Sequence, residues 1–294
     1  MNTVSSPLRV KQGRSFWEDA RRRFFRNRLA VAGFVIVVSF LFIALFAPLL
    51  APFRYDEAFF DRTRLFPFQD PRHLLGTDEL GRDYLSRLMF GARTSLTVSL
   101  VVQGISLLIG VPLGALSGFV GGRTDFVVTR IIDVMTAFPS LLFAILIASV
   151  MAGGFRTVVV ALSVTSWIGY ARLTRAQVLQ LREQDYVVAA SALGARQGRI
   201  IWQHIMPNAL SPLLVAVSFG IPATIFAEAG LSFLGFGVND PIASWGKMVG
   251  VSSAYVRVYW HLALFPTLAI ALTMLGFSFM GDGLRDALDP NQDR

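Results

Sequence analysis

The 294-residue chain is 54% hydrophobic and 16% charged, where a soluble domain carries about 25% charged residues, and its mean hydropathy is +0.56. These values exclude a disordered tail protein and argue against an ordinary cytosolic enzyme, and with no cysteine there is no disulfide, thiolate nucleophile, iron–sulfur cluster or cysteine zinc site. The net charge of +8 comes from 27 basic residues, 25 of them Arg, which flank apolar blocks; that placement suits anionic lipid headgroups rather than nucleic acid.

Residues 1–28 form a basic arm. Ser15 is placed to cap a helix with Glu18 three residues on, and Phe16, Ala20 and Phe24 recur every fourth residue among Arg21, Arg22, Arg23, Arg26 and Arg28. The pattern predicts an amphipathic helix in the headgroup plane. Leu29 to Phe53 is free of charge and long enough to cross about 30 Å of hydrocarbon. It is too long for a signal-peptide core and has no small-residue cleavage site before Arg54, so it reads as an anchor that stays, residues 29–53. Residues 54–93 follow as an extracytoplasmic loop.

Further charge-free runs are Thr94–Gly122, Val134–Phe155 and the short Thr157–Ala171; Leu213–Gly237 is interrupted only by Glu228, and Val258–Gly281 carries only His261. The expectation is an all-α membrane protein of six transmembrane helices, five of them in a core over residues 94–282, with a tail at 283–294. Lys and Arg number 17 on the side of the N-terminus and 10 on the other. The positive-inside rule therefore puts both termini in the cytoplasm. Residues 52–93 resist this count with seven Arg, but seven acidic residues accompany them.

Gly110, Gly114 and Gly118 lie four apart, which leaves either a groove for a second helix or, with Pro112 in the same turn, a hinge. Asp133 begins the third run and either gates transport or pairs with Arg130 one turn back. Glu228 is the one carboxylate deep in an apolar run, a functional candidate by position; holding the outer end of the bundle and touching substrate both remain open. Trp245 and Trp260 are expected in an outer aromatic belt, and His261 as a packing residue at the interface.

Several chemistries are missing from the sequence. There is no G-x-x-x-x-G-K-[ST] phosphate cradle, no H-E-x-x-H and no G-x-S-x-G elbow, and His73, His204 and His261 are far apart. No cofactor or metal is expected in this chain. If it moves solute uphill, the energy enters through another subunit.

The longest connection on the basic side, residues 172–212, is the most informative. Leu173, Ala176, Leu179 and Gln180 continue the preceding helix. Val187–Leu193 forms a short helix with Ala189, Ala190 and Ala192, ended by Gly194 as the residue best able to take φ > 0. Ile200–Ile205 forms a third piece, stopped by Pro207-Asn208. A short alanine-rich helix exposed between turns makes sense as a knob that docks in a partner.

This segment resembles the EAA loop of ABC-importer permeases, in which Glu-Ala-Ala, three residues, Gly, nine residues and Ile-x-Leu-Pro follow one another. Ala189-Ala190, Gly194 and Pro207 stand at that spacing, after Asp185-Tyr186-Val187; Val188 replaces the Glu, and the end reads His204-Ile205-Met206-Pro207. The resemblance marks Tyr186, Ala189, Ala190, Gly194, Ile205, Pro207 and Asn208 as residues that couple to an ATPase. His73–Leu96, Gly121-Gly122 with Asp125, Arg130, Asp133 and Ala137-Phe138-Pro139, Glu228–Gly237 with Trp245-Gly246 and Met248, and Gly281–Pro290 are further similar to the C-type permeases of the dipeptide/oligopeptide family, which includes nickel and glutathione systems. The resemblance implies a type I importer fold in a bacterial or archaeal cytoplasmic membrane. It also implies a second, B-type permease, two ABC ATPase subunits that bind the ATP and Mg, and an extracytoplasmic substrate-binding protein. A rival expectation is a self-sufficient secondary transporter or channel with Glu228 as its coupling-ion site; a membrane enzyme is weaker still, because no nucleophile, base or metal set can be assembled.

Overall fold

A computed structural model describes residues 16–151 and 153–289. Among them are helices and turns but no strand. The Ser15 cap and the end of the tail lie outside the described residues. The helices are α1 (Phe16–Arg26), α2 (Arg28–Leu50), α3 (Tyr84–Val120), α4 (Gly122–Thr136), α5 (Ser140–Val150), α6 (Phe155–Leu181), α7 (Asp185–Ala192), α8 (Gln197–Ile200), α9 (Met206–Phe233), α10 (Trp245–Ser252) and α11 (Trp260–Leu288). Five helical stretches are long and apolar enough to cross a membrane, and a sixth arises if α4 and α5, bent by 80°, count as one span.

Local chemistry explains the boundaries. The Asn27 side chain accepts the Leu29 and Ala30 N–H groups at 3.0 and 3.2 Å and starts α2. Asp83 does the same for α3 by accepting from Ser86 at 2.7 Å. At the far end of α3, Gly121 takes φ +67, a conformation that costs a residue with a Cβ and ends the helix.

The third apolar run differs from expectation. Residues 134–155 are not one straight span: the helix breaks at Ala137-Phe138-Pro139, because Pro139 forces Phe138 out of the helical region and supplies no N–H. The short fourth run lies inside a much longer helix, since α6 extends to Leu181. Pro207 does not stop its helix either. It falls in the first turn of α9, where a missing N–H goes unused, and a π turn, Ile201–Ile205, joins α8 to α9 without a break.

The glycine stripe is a packing surface. A Cβ on Gly110 or Gly114 would press into the carbonyl oxygens of Trp167 or Ala171, and one on Gly118 would lie 2.9 Å from the Arg175 oxygen. Thus α6 lies backbone to backbone on α3. Gly33 of α2 and Gly276 of α11 meet in the same way, with 2.6 Å from a Gly33 Cβ to the Gly276 oxygen. Trp245 corrects the expected aromatic belt. It is 1% exposed, donates Nε1–H to the Leu88 carbonyl at 3.0 Å and packs edge-on against Phe40. Trp260, by contrast, is half exposed.

Candidate functional site

The connection from α6 to α9 is built from the bundle outward. Val178, Val187, Ile200 and Ile205 are buried together with Ala115 of α3. This apolar cluster seats α7 and α8 against the ends of α3 and α6. Two polar clamps then fix the exit of α6. The Arg175 guanidinium grips Asp125 of α4 through both nitrogens, Nη2–Oδ2 being 2.6 Å, and Ser117 of α3 also donates to Asp125. Two turns beyond, Arg182 donates to the Gly118 carbonyl at 2.9 Å.

With Val187 turned inward, its neighbours face outward. Tyr186 is 43%, Val188 56%, Leu193 89% and Trp202 68% exposed. Ala189 is exposed and Ala190 half-buried, so no large side chain blocks approach to α7. Gly194 takes φ +80 and ends the helix beneath Leu193. Of the other residues marked on this loop, Ile205 is fully buried, whereas Pro207 and Asn208 are exposed. Asn208 donates to the His204 carbonyl at 2.6 Å and to the Tyr186 hydroxyl at 3.3 Å, tying the root of α9 to the start of α7. Sequence reasoning missed Leu193 and Trp202. The signal was a large apolar residue beside a helix-ending glycine and a tryptophan in a polar stretch.

Glu228 lies elsewhere, near the opposite end of α9. It is fully buried; Ser95 of α3 donates to its Oε2 at 3.0 Å, and Ser232 to its Oε1 at 2.8 Å. Ser95 also accepts the Trp245 backbone N–H at 3.3 Å, so the carboxyl joins α3, α9 and α10. Asp133 is half exposed and 3.9 Å from Arg130, a loose surface pair that lies apart from both Glu228 and the α7 loop in the chain.

The same end of the bundle holds residues 51–83, a segment without helix that is nonetheless tightly bonded. Asp78 accepts from the Leu80 and Arg82 N–H groups at 2.9 Å each, from Arg82 Nε at 2.6 Å, and lies 3.2 Å from Arg87 Nε. His73 Nδ1 is 3.0 Å from Asp83, both side chains being buried. The Arg72 backbone N–H on Asp70, with help from the Arg72 and Arg62 charges, holds that carboxyl below the usual carboxylate range.

The described residues thus form a long apolar helical bundle that carries an outward-facing apolar knob on a clamped helix. Residues 110–294 match the family described as binding-protein-dependent transport system inner membrane component, and the chain belongs to that family. Residues 15–71 match the N-terminal transmembrane domain of oligopeptide transport permease C. The oligopeptide transport system permease protein OppC of Bacillus subtilis (strain 168) is 44% identical over 95% of this chain and 91% of its own length. The glutathione transport system permease protein GsiD of Pectobacterium atrosepticum is 40% identical over 96% of this chain and 94% of its own. Among solved structures, a chain of the inward-facing MetNI methionine ABC transporter superposes with a TM-score of 0.58 at 18% identity, over 70% of this chain and 97% of that one; it shares the fold. The chain is thus a multi-pass inner-membrane permease.

Proposed function

We propose that this permease imports di- and oligopeptides as half of a translocation pathway, the other half being a second, B-type permease. In this reading two ABC ATPase subunits hold ATP and Mg and hydrolyse the nucleotide, and an extracytoplasmic binding protein delivers the cargo. Residues 172–212 and both termini lie in the cytoplasm, as the excess of Lys and Arg on that side supports. Residues 52–93 and 238–257 face the binding protein. Relatives named for oligopeptide and dipeptide transport, each at about 40% identity, support peptide as cargo.

The observation that carries the coupling role is Leu193, 89% exposed at the tip of a helix whose other face is locked into the bundle. An isolated leucine this exposed on a rigid mount is what a partner's groove covers. ATP-driven closure of the ATPases then moves α7, and the Asp125–Arg175 and Gly118–Arg182 clamps carry the movement into α6, α4 and α3. Tyr186, Ala189, Ala190 and Gly194 form the docking surface; Ile205, Pro207 and Asn208 hold its root. Glu228 serves to lock the outer end of the bundle, and Asp133 is the candidate gate residue at the inner end.

The test is affinity purification from detergent-solubilised native membranes, with the wild type beside an Ala190→Arg/Leu193→Asp variant. Wild type is expected to bring down two ATPases and a second permease, and the variant to lose only the ATPases. A chain that purifies alone and moves solute in liposomes without ATP would sink the importer reading and make Glu228 the residue to study.

A further inference from the structure

Within the bundle, α3, α6 and α9 are joined near their midpoints by a polar network. The Tyr170 hydroxyl donates to Gln103 Oε1, and Gln103 Nε2 donates to the Gly220 carbonyl at 2.8 Å and to Thr224 Oγ1. All three side chains are at most 5% exposed. A Cβ at Gly220 would lie 2.6 Å from both Gln103 Oε1 and the Tyr170 hydroxyl, so only glycine lets the amide sit there. The network forms the floor of a cavity of about 560 Å³, walled by Thr165 and Ser166 of α6 and by Phe219 and Ala223 of α9. None of its described lining residues is charged.

We infer that this cavity is the solute-contact site of the chain's half of the pathway, and that it recognises uncharged amide groups, as along a peptide backbone, rather than the charges of the cargo. The inference rests on the importer reading above. Its volume falls in the range of small-ligand sites, about 300–1,000 Å³. Hydroxyl and amide groups deep between membrane helices are costly where they serve nothing and mark solute routes where they line space. Helix packing alone would close the void.

Most of the exposed wall is apolar, and Thr165, Ser166, Gln103 and Tyr170 add polarity to it without any charge. A peptide with an acidic or a basic side chain then meets no ion pair and no repulsion, so the wall passes both. The cavity is also wired to the knob. Thr165 to Tyr170 and the Arg175 clamp stand on the same helix, which Arg182 caps, about 26 Å from the first to the last of these residues. Movement of α7 therefore shifts the α6 wall against Gln103.

The chain has no cysteine, which permits a direct test in the assembled complex reconstituted in proteoliposomes. Ala223→Cys, with Thr165→Cys as the second variant, is treated with the sulfonatoethyl or the trimethylammonioethyl methanethiosulfonate, one anionic and one cationic. Labelling is read on this chain, and ATP-dependent uptake is read with Ala-Glu and Ala-Lys dipeptides. Both reagents are expected to react, whereas Leu146→Cys, on the outward apolar face of α5, reacts only after denaturation. The attached anion and cation should shift the Ala-Lys to Ala-Glu uptake ratio in opposite directions, by about fivefold or more relative to the unlabelled variant.

A cavity closed to both reagents in every nucleotide state, or labelled without a change in that ratio, would overturn the proposal while wild-type uptake leaves the importer reading intact. Failure of the wild-type complex to take up either dipeptide would overturn the peptide reading, and with it the amide chemistry assigned to the cavity.

Discussion

Two connections leave the bundle at opposite ends, and they are finished to different degrees. Residues 51–83 lack a helix yet bury Asp78, Arg82, Asp83 and His73, each with a partner inside the same loop. The connection between α6 and α9 is helical almost throughout, yet it leaves Leu193, Trp202 and Val188 outside. Regular structure is therefore a poor guide to completeness. A loop whose polar groups are satisfied internally keeps its shape unaided; a helix with large apolar residues on its free face still awaits a surface. The first presents a fixed shape to whatever approaches, and the second, in the importer reading proposed above, is the part held and moved by the ATPase.

The sharpest way to break the contrast is at the rigid loop. Asp78 accepts from two backbone N–H groups and neutralises Arg82 and Arg87, all buried. Asp78→Ala leaves Arg82 to Glu79 and Asp240 and leaves Arg87 with the Tyr55 and Pro241 carbonyls alone. It is expected to cost about 3–5 kcal/mol, the typical result of removing one partner of a buried pair. Loss of the folded protein in a thermal-stability assay of the purified complex would follow, whereas the exposed Arg54→Ala should leave the melting temperature unchanged. A stable Asp78→Ala complex would show that the loop is held by something other than its buried charges.

The α7 loop should respond in the opposite sense. Leu193→Ala removes no internal contact of consequence, so folding is expected to survive. If Leu193 anchors the ATPase, its truncation should cost about 2 kcal/mol of association, the threshold of an interface hot spot. Titration of purified ATPase onto the permease pair measures this directly. Equal affinity for wild type and variant would remove Leu193 from the docking surface.

The legibility of the sequence follows the same division. Charge-free runs gave the spans because a bilayer tolerates few alternatives, and Gly194 was readable because one residue type dominates φ > 0 after a helix. The α4–α5 bend was masked by hydropathy, which does not see Pro139 acting on Phe138. Pro207 misled in the other direction: proline interrupts helices but also begins them, and only the preceding π turn decides between the two. Glu228 stood out by charge alone, while its serine partners, Ser95 and Ser232, come from two different helices and have no sequence spacing that joins them. The Gln103–Tyr170–Thr224 network was invisible for the same reason, since its members stand 67 and 121 positions from Gln103.

Between the two ends lies the glycine groove, where α6 rests backbone to backbone on α3 and through which, in the proposed reading, movement of the α7 loop reaches the bundle. Gly114→Leu would push α6 off α3 at Ala171 and Thr174. Overpacking of this kind costs about 1–3 kcal/mol. The expected result is a complex that assembles and retains ATPase activity but loses the coupling of hydrolysis to uptake, because the Asp125–Arg175 clamp is displaced with the helix. A Gly104→Ala control, where no neighbour lies within 4 Å of the added Cβ, should transport normally.

The smallest effect is the one that separates the loops by pH. Asp70 is held below its ordinary range by the Arg72 backbone N–H and by the Arg72 and Arg62 charges. A carboxyl with a depressed folded-state pKa contributes stability in full above its unfolded value, about 3.9, and loses it as the pH falls toward and through the folded value. Hydrogen exchange in residues 62–76 should therefore be flat from pH 7 to about 5, after correction for intrinsic rates, and rise below about 4. Asp70→Asn should abolish that rise by weakening the same bonds at every pH. Beyond the Asp125–Arg175 clamp, residues 183–206 have no carboxylate ion pair among the described residues, so their exchange should follow occupancy by the ATPase instead of acidity.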